Sequence, residues 1–490
     1  MTVRVEKLGR AHSTDAREIM ATGGDARITL DPETGLNRYY SAPSPTDVLA
    51  YASSTANDIS PQAYAQVTAR LAEIGAKLPP PAYAAGLEAL RDRIRAAYGL
   101  PGDVAIVFAA SGTDLEYVAL ACVSGRAAGG THNILLGADE VGTGCIHSAH
   151  GRYFAERTAL DVATRAGEPV PGLDSVALDL VDIPVRDAEG RVRPSGEIRA
   201  AMATSIGSAR AAGRHALVHV VHGSKTGLIL PSLADIDRLR AGSGRDVTIV
   251  VDACQARITG PAVLDYLERG AIVCVTGSKF MGGPPFSGFA LVPAALASEA
   301  PSLPCGFATI FRRAEWPANW PGAAALPDST NLGLLLRLEA SIFELERFRQ
   351  LDPGDVTRVI LAFHAAVRAE IIDRTEARRV APYPPGDRDE ADAHPIEMRT
   401  LSTLDLSALN GGASFEDAQR WHKQLIARQV RLGQPVKCVR LADGRWGATL
   451  RIGLTMWQVA DRAALSDEAL ERSFGADMAV VREALAAVAA

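Results

Sequence analysis

The stretch Ala271–Pro293 reads AIVCVTGSKFMGGPPFSGFALVP and decides the predicted fold. A run of apolar, β-forming residues, Ala271–Val275, leads into Thr276-Gly277-Ser278-Lys279, and a turn rich in Gly and Pro follows. A lysine at the tip of a buried strand is costly unless its charge is used or removed, and one use is a Schiff base with an aldehyde. A solvated loop lysine is the alternative when Lys279 is considered alone.

A second strand pattern upstream ends in a carboxylate. Thr248–Gln255 reads TIVVDACQ, with Asp252 at the end of its apolar run, and a helix-length segment separates it from Lys279. One strand tip therefore offers an acid and another offers an amine. Pyridoxal phosphate requires this pair, because a lysine binds its aldehyde and an aspartate binds its pyridinium nitrogen.

These residues resemble the fold type I pyridoxal-phosphate enzymes, and within them the class V aminotransferase and cysteine desulfurase group. In that group Asp-x-x-Gln precedes Ser-x-His-Lys and a Gly-Pro turn. The matching residues here are Asp252–Gln255, Thr276–Lys279 and Gly283-Pro284, and Ser278 stands where the group usually has His. The resemblance extends over residues 50–455 as an ordered set of short motifs. It implies that Lys279 and Asp252 are the catalytic residues and that pyridoxal 5'-phosphate is the cofactor.

A phosphate cradle is predicted further upstream. The strand pattern Val104–Ala109 runs into Ser111-Gly112-Thr113-Asp114, after which the pattern becomes helical. Backbone N–H groups at a helix start, a glycine that allows close approach and two hydroxyl groups suit an anion. A simple helix cap is the alternative. The position of the motif before Asp252 and Lys279 favours phosphate.

The resemblance implies further cofactor contacts, at Gln255, Thr276, Ser278, Ser224 and Thr330. Gln255 would lie beside the phenolic oxygen, and Ser224 stands where the group often has Asn for the same oxygen. Thr330 would reach the phosphate of a neighbouring subunit, which implies a homodimer. A helix cap is the alternative for Thr330. Val141 stands near the place of the group's ring-stacking residue, which we leave unassigned.

The substrate side is predicted from Arg451, in Thr-Leu-Arg-Ile-Gly. In the group an arginine at this place binds the substrate carboxylate, and a guanidinium suits a carboxylate because it donates two parallel hydrogen bonds. An exposed strand arginine is the alternative. Ser54 and Thr55 are weaker candidates for the same side, with N-capping of the next helix as the competing interpretation.

No metal site is predicted. His215, His219 and His222 resemble a cluster, but on a strand the first two share a face and the third points to the opposite one. The sequence GSKT (residues 223–226) superficially resembles a nucleotide P-loop and lacks its upstream glycine.

Composition excludes several classes of protein. The chain has 490 residues, 47% of them hydrophobic and 22% charged, with a formal net charge of −6 spread along its length, so neither nucleic acid nor a membrane surface is expected as a partner. No secretory signal and no apolar run long enough to cross a membrane occur in the sequence. The six cysteines are scattered without CxxC spacing, which favours reduced thiols and a cytoplasmic protein.

Three regions are predicted: an N-terminal arm (1–60), a large cofactor-binding domain (61–351) and a small C-terminal domain (352–490). Strand and helix alternate between residues 104 and 292, which predicts an α/β fold with a mostly parallel, seven-stranded type of sheet flanked by helices. The C-terminal domain is predicted as α+β. Its elements are helices over Val356–Ile372 and Phe415–Leu432 and strands over Val436–Leu441 and Ala448–Ile452.

The resemblance implies an enzyme acting on the α-carbon of an amino acid, most simply by transamination with a keto acid. A β-lyase or C–S lyase, or a binding protein that kept the fold without chemistry, are the alternatives. A cysteine desulfurase is not expected, because the corresponding loop, Ala381–Thr400, has no cysteine to carry sulfur. Cys438 lies in a strand-like run. Cys305, on a loop soon after Lys279, is the one exception to this argument.

Overall fold

A computed structural model describes residues 15–138, 140–142, 144–173, 178–242, 244–383 and 396–490. The strands are β1 (Leu49–Tyr51), β2 (Ala105–Ala109), β3 (Thr131–Leu136), β4 (Leu178–Ile183), β5 (His215–His222), β6 (Ile229–Leu230), β7 (Val247–Asp252), β8 (Ile272–Thr276), β9 (Gly288–Val292), β10 (Arg378–Val380), β11 (Leu401–Asp405), β12 (Val430–Leu432) and β13 (Thr449–Gly453). The helices are α1 (Ala16–Met20), α2 (Pro61–Ile74), α3 (Pro80–Tyr98), α4 (Leu115–Val123), α5 (Cys145–Ala149), α6 (Ser195–Ala211), α7 (Leu233–Ala241), α8 (Gly260–Glu268), α9 (Ala294–Ser298), α10 (Leu332–Arg349), α11 (Pro353–Val367), α12 (Phe415–Ile426), α13 (Met456–Ala460) and α14 (Asp467–Ala489).

The main sheet has the strand order β2-β9-β8-β7-β5-β3-β4, and the short β6 pairs with β5. The pairs β8–β7, β7–β5, β5–β3 and β3–β4 are parallel, whereas β9 is antiparallel to both β2 and β8. The predicted α/β fold with a mostly parallel sheet is confirmed. Because β9 is antiparallel to both of its neighbours, β2 runs in the same direction as β8.

Both faces of this sheet are covered, which explains why its strands are apolar throughout. All eight residues of β5 are buried, and every residue of β8 and β9 is buried too. Helices α3, α6, α7, α8 and α10 pack on one face, and α4 with the segment 296–326 packs on the other. Parallel strands buried on both faces give continuous apolar runs, the pattern that predicted β5, β7 and β8. No helix within the described ranges is both long enough and apolar enough to cross a membrane.

The strand direction brings three predicted motifs to one edge of the sheet. Asp252 is the last residue of β7, Thr276 is the last residue of β8, and Asp252 pairs in register with Cys274. The cradle at Ser111 follows the end of β2. Carboxyl ends of parallel strands form the usual binding edge of such sheets.

The C-terminal region contains an antiparallel sheet, β10-β11-β13, and β12 pairs in parallel with β1 near the other end of the chain. Two predictions were wrong here. The helix predicted over Phe415–Leu432 ends at Ile426. Residues 430–432 instead form β12, which pairs with β1. Val436–Leu441 is not a strand, since only an isolated bridge joins Arg440 to Trp446.

β4 (Leu178–Ile183) was not predicted from the sequence. The division of the chain at residues 60 and 351 stays a prediction. Most of the predicted loop Ala381–Pro395 lies outside the described residues.

Candidate active site

The backbone of Lys279 is fixed against the core while its side chain is half-buried. Gly277 passes so close to α10 that a Cβ atom on it would lie 2.2 Å from Ser341 Oγ. Asn57 Nδ2 donates to the carbonyl oxygens of Ser278 (3.1 Å) and Lys279 (2.6 Å). The lysine therefore stands on a rigid turn at the end of β8, as a covalent attachment site requires.

Asp252 and Lys279 face the same thiol. Asp252 Oδ1 accepts a hydrogen bond from the backbone N–H of Cys254 at 2.9 Å. Burial raises the pKa of the Cys254 thiol well above its usual value, the Asp252 carboxylate adds to this rise, and the Lys279 ammonium opposes it. Both charges act on Cys254, and we call the space around Asp252, Cys254 and Lys279 the pocket. The roles of Asp252 and Lys279 there stay predictions.

The Ser111–Thr113 loop borders this pocket. A Cβ atom on Gly112 would lie 3.0 Å from Thr276 Cγ2 and 3.3 Å from Cys254 Sγ, so only glycine allows the loop to approach the tip of β8 this closely. The structure thus brings Gly112, Thr276, Asp252 and Lys279 together. The Thr276 hydroxyl itself donates to the Cys254 carbonyl oxygen at 2.6 Å.

The helix-cap alternative accounts for part of the cradle, because Ser111 Oγ accepts from the Asp114 N–H at 3.3 Å. Asp114 occupies the N-cap position of α4, and its side chain makes no capping hydrogen bond. Ser111 Oγ instead donates to Asp114 Oδ2 at 2.6 Å. The pKa of Asp114 is raised to about 7. Burial is the largest cause and the nearby Asp25 carboxylate adds to it, whereas the hydrogen bond from the Ser111 hydroxyl and the Arg27 charge act in the opposite direction.

An arginine that sequence reasoning missed lies over the cradle. The Arg27 guanidinium is 3.4 Å from Ser111 Oγ through Nη2 and 3.5 Å from Thr113 Oγ1 through Nη1. Its central carbon also lies over the rings of Phe154 and Phe286, at 5.2 and 5.0 Å from their centroids. Arg27 belongs to a segment without periodicity, and nothing in the sequence links it to residues more than eighty positions away.

Arg451 is buried, so the exposed-strand alternative is wrong. Its Nε donates to Gln434 O (2.9 Å), Nη1 donates to Ser54 O and Lys225 O (both 3.2 Å), and Nη2 donates to Thr55 Oγ1 (3.1 Å). Burial lowers the pKa of Arg451 to about 10. The guanidinium is held by neutral acceptors, which leaves its charge for an anion.

Ser54 and Thr55 lie beside Arg451, and their place on the substrate side stays a prediction. The competing N-cap interpretation is wrong, because Ser60 caps α2 by accepting from the Ala63 N–H at 3.0 Å. The Ser54 hydroxyl oxygen is buried without a hydrogen-bond partner among the described residues. Such a group suits a ligand that supplies the missing bond.

A second lysine, also missed in the sequence, belongs to this pocket. Burial lowers the pKa of Lys225 to about 8, and the positive charges of Arg451 and Lys279 lower it further, while the Glu140 carboxylate opposes them. Lys225 lies on the loop after β5, in the segment that superficially resembled a P-loop. Its carbonyl accepts from Arg451. Lys225, Arg451 and Lys279 thus lie close enough together for their positive charges to act on one another.

Two residues predicted to contact the cofactor's phenolic oxygen are already hydrogen-bonded. Ser224 Oγ donates to Glu140 Oε2 at 2.7 Å, and Glu140 also forms a buried ion pair with Arg186 at 2.8 Å. Gln255 Oε1 accepts from Arg257 Nη1 at 2.7 Å, and its Nε2 donates to Ser54 O at 3.2 Å. Their roles toward a cofactor stay predictions.

Thr330 is half-buried at the start of α10. The cap of this helix is the next residue, Asn331, whose Oδ1 accepts from the Leu334 N–H at 3.0 Å. Asn331 Nδ2 also donates to Gly23 O at 2.9 Å, so the N-terminal arm lies against this helix end. Within the part of the chain that the structure describes, no hydrogen bond joins Thr330 to the cradle. Its contact with a neighbouring subunit stays a prediction.

The three histidines on β5 have separate partners. His215 Nε2 contacts Thr248 Oγ1 at 2.9 Å, His219 Nδ1 lies 3.5 Å from Glu116 Oε2, and His222 Nδ1 contacts Tyr266 OH at 3.1 Å. Burial lowers the pKa of all three, to about 4, 3 and 4 in that order. They are neutral core histidines.

Thiols beside the pocket are protonated. Burial raises the pKa of Cys145 and Cys254 well above the usual range, and that of Cys438 to about 12. Cys438 is a core thiol, as predicted, although not on a strand. Cys305 is exposed on a short turn, Cys305–Thr309, that packs beside Gly172.

No protein-family model matches the sequence. No curated protein sequence matches it either. Solved structures, in contrast, do match this chain. Ureidoglycine–glyoxylate aminotransferase from Bacillus subtilis superposes with a TM-score of 0.53 at 13% identity, over 91% of this chain and 93% of that one.

Two sulfur-handling enzymes are similar to a comparable degree. Cysteine desulfurase CsdA from Escherichia coli gives a TM-score of 0.52 at 15% identity, over 87% of this chain and 94% of that one. The cystine C–S lyase C-DES, in a variant with glycine covalently linked to its PLP cofactor, gives 0.55 at 15% identity, over 88% and 96%. At these identities the similarity establishes the fold.

Proposed function

We propose, from the premise that this chain has the fold of the fold type I pyridoxal-phosphate enzymes, that it binds pyridoxal 5'-phosphate and acts on the α-carbon of an amino acid. One observation carries the proposal. Asp252 ends β7 and Lys279 follows the neighbouring β8, the charges of both act on the Cys254 thiol, and Gly112 lies against Thr276 and Cys254. A protein that only binds a ligand does not need an amine and an acid so placed.

The residues present fit this cofactor. Gly112 brings the cradle against Thr276 and Cys254, and the backbone N–H groups before α4 would hold the phosphate. Asp252 is the acid for the ring nitrogen, and Lys279 is the amine for the aldehyde. When bound, pyridoxal phosphate supplies a conjugated ring that accepts the electron pair released at the α-carbon.

The chain's own side chains have distinct roles in this proposal. Lys279 Nζ would hold the cofactor at its aldehyde carbon, with release of water, and would move the proton at the substrate α-carbon. Asp252 keeps the ring nitrogen protonated through a charge-assisted hydrogen bond. Arg451 binds the substrate carboxylate through the Nη2 N–H group that does not bond to Thr55. Burial of Arg451 excludes water from that ion pair and strengthens it.

Transamination is the reaction that we propose, with a keto acid as the second substrate. The raised pKa values of Cys145, Cys254 and Cys438 support this choice over desulfuration, because sulfur transfer requires a thiolate. A homodimer in the cytoplasm is the accompanying proposal for the whole protein. Sedimentation at assay concentration tests the dimer, and an active monomer would contradict it.

The test of the reaction is a screen of amino acids with the cofactor-loaded protein. Loss of the cofactor's visible absorbance on mixing identifies the substrate, and mass spectrometry identifies the product. A keto acid with the substrate's carbon skeleton is expected, together with transfer of the amino group to an added keto acid. Release of ammonia with a shortened skeleton would instead identify a lyase. Lys279→Ala is the matched control, and it must form neither product.

A further inference from the structure

We propose that Arg27, from the N-terminal arm of the same chain, binds the cofactor's phosphate and closes that end of the site. This inference rests on the proposed function, because it concerns the phosphate of the same cofactor. It assigns a role in catalysis to a segment that sequence reasoning treated only as an arm.

The Arg27 guanidinium lies beside the predicted phosphate cradle. Arg27 is within 3.5 Å of both hydroxyl groups of the cradle, Ser111 Oγ and Thr113 Oγ1. The rings of Phe154 and Phe286 each make a cation–π contact with the guanidinium, at 5.2 and 5.0 Å from their centroids. An anion that accepts from the cradle's hydroxyl and N–H groups therefore lies within reach of the same fork.

Asp25 orients the Arg27 guanidinium but accepts hydrogen bonds from only some of its N–H groups. Arg27 Nε and Nη2 donate to the two oxygens of Asp25 at 2.8 and 2.6 Å, and Asp25 is buried. Nη1 points to the cradle side, where Thr113 is its acceptor. A guanidinium has five N–H groups, so it can bind a carboxylate on one edge and a phosphate on another.

The arm is anchored by a buried arginine on α10. Arg337 Nη1 donates to Met20 O (2.7 Å) and Thr22 O (2.6 Å), Nη2 donates to Gly23 O (3.1 Å), and Nε donates to Phe286 O (2.7 Å). The same side chain thus fixes the arm and one of the two rings that contact Arg27. The position of Arg27 is therefore set by core contacts.

The charge of the cradle favours this role. Asp25 and Asp114 are two buried carboxyl groups beside the predicted phosphate, and both charged would repel it. Below about pH 7 Asp114 is protonated and Asp25 is neutralised by Arg27. The positive end of α4 and the Arg27 fork then face the anion without a competing free carboxylate.

The test compares pyridoxal phosphate with pyridoxal, which lacks the phosphate. The full chain, freed of cofactor, is titrated with each compound by absorbance, for the unaltered protein and for Arg27→Gln. We expect Arg27→Gln to weaken pyridoxal phosphate binding about tenfold or more, the size of one charge-assisted contact, and to leave pyridoxal binding unchanged. Arg27→Lys keeps the charge without the fork and should fall between the two.

Arg17→Gln is the matched control, because Arg17 lies in the same arm and donates to Gly35 O at 2.8 Å, away from the cradle. Equal affinity of Arg27→Gln and unaltered protein for pyridoxal phosphate would overturn the inference. So would an equal loss for both compounds, because that marks a folding defect. If the unaltered protein binds neither compound, the proposed function fails instead, and the inference fails with it.

Discussion

The N-terminal arm should detach when its anchor is removed. Arg337→Met deletes the guanidinium that donates to the carbonyl oxygens of Met20, Thr22 and Gly23, and replaces it with an apolar chain. Burial lowers the pKa of Arg337 to about 9, which is still above neutral, so the wild-type group is charged and donates fully. The carbonyl groups of Met20 and Thr22 would remain buried without this donor unless the arm moves into water, whereas Gly23 O keeps its bond from Asn331 Nδ2.

The magnitude follows from the number of lost partners. A buried polar group without a partner costs about 1–3 kcal/mol, so the carbonyl groups of Met20 and Thr22 together disfavour the docked arm by about 2–6 kcal/mol. Even the lower figure corresponds to opening about thirtyfold more often. The core of the sheet loses only the bond to Phe286 O, so its unfolding should change much less.

Hydrogen exchange measures both effects. Backbone amides of residues 19–29, such as Thr22 N–H, which donates to Ile19 O at 3.0 Å, should exchange about thirtyfold faster or more in Arg337→Met, while β5 and β7 stay protected. Arg349→Met, on the same helix with its bond to Ile258 O, is the control and should leave the arm unchanged. An arm that stays fully protected in Arg337→Met would refute the reasoning.

Three further predictions concern the pocket. The pKa of Asp114 is raised from 3.8 to about 7, so its contribution to stability is present at low pH and is lost as the pH rises toward 7. The free energy of unfolding of Asp114→Asn, relative to that of the wild type, should therefore increase by about 3 kcal/mol between pH 5 and pH 8. Urea midpoints measure this difference, and a difference that does not change with pH would contradict the prediction. Asp252→Asn should lower kcat by about a hundredfold or more with an unchanged fold, since a neutral ring nitrogen makes a poorer electron acceptor, and wild-type turnover would exclude the ring-nitrogen contact. With cysteine and a reductant, catalytic release of sulfide and alanine that Cys305→Ala abolishes would overturn the choice against desulfuration; we expect none.

The sequence predicted what local patterns encode. The strands β5, β7 and β8 are continuous apolar runs because both faces are buried, and such runs are visible without any knowledge of the fold. The tips of β7 and β8 carry Asp252 and Lys279, so the centre of the site followed from chain order and strand direction. The edge strand β4, LDLVDI, was missed because two of its six residues are aspartates.

What the sequence did not predict depends on contacts between distant segments. Arg27 reaches Ser111 only because Arg337, far along the chain, fixes the arm, and no local pattern encodes either contact. Lys225 was interpreted as part of a phosphate-loop-like run, since its proximity to Arg451 exists only after β5 and β13 come together. The helix end at Ile426 was overestimated because residues 430–432 pair with β1, and tertiary pairing overrode the local pattern.

The attachment site of the cofactor tests the central claim most directly. The protein loaded with pyridoxal phosphate is reduced with borohydride, digested, and mapped by mass spectrometry. Two lysines lie in the pocket, Lys279 on the rigid turn after β8 and Lys225 with its pKa lowered to about 8. We predict the phosphopyridoxyl group on Lys279, with none in Lys279→Ala and an unchanged yield in Lys225→Met. Modification of Lys225 instead, or of no lysine, would contradict the proposal.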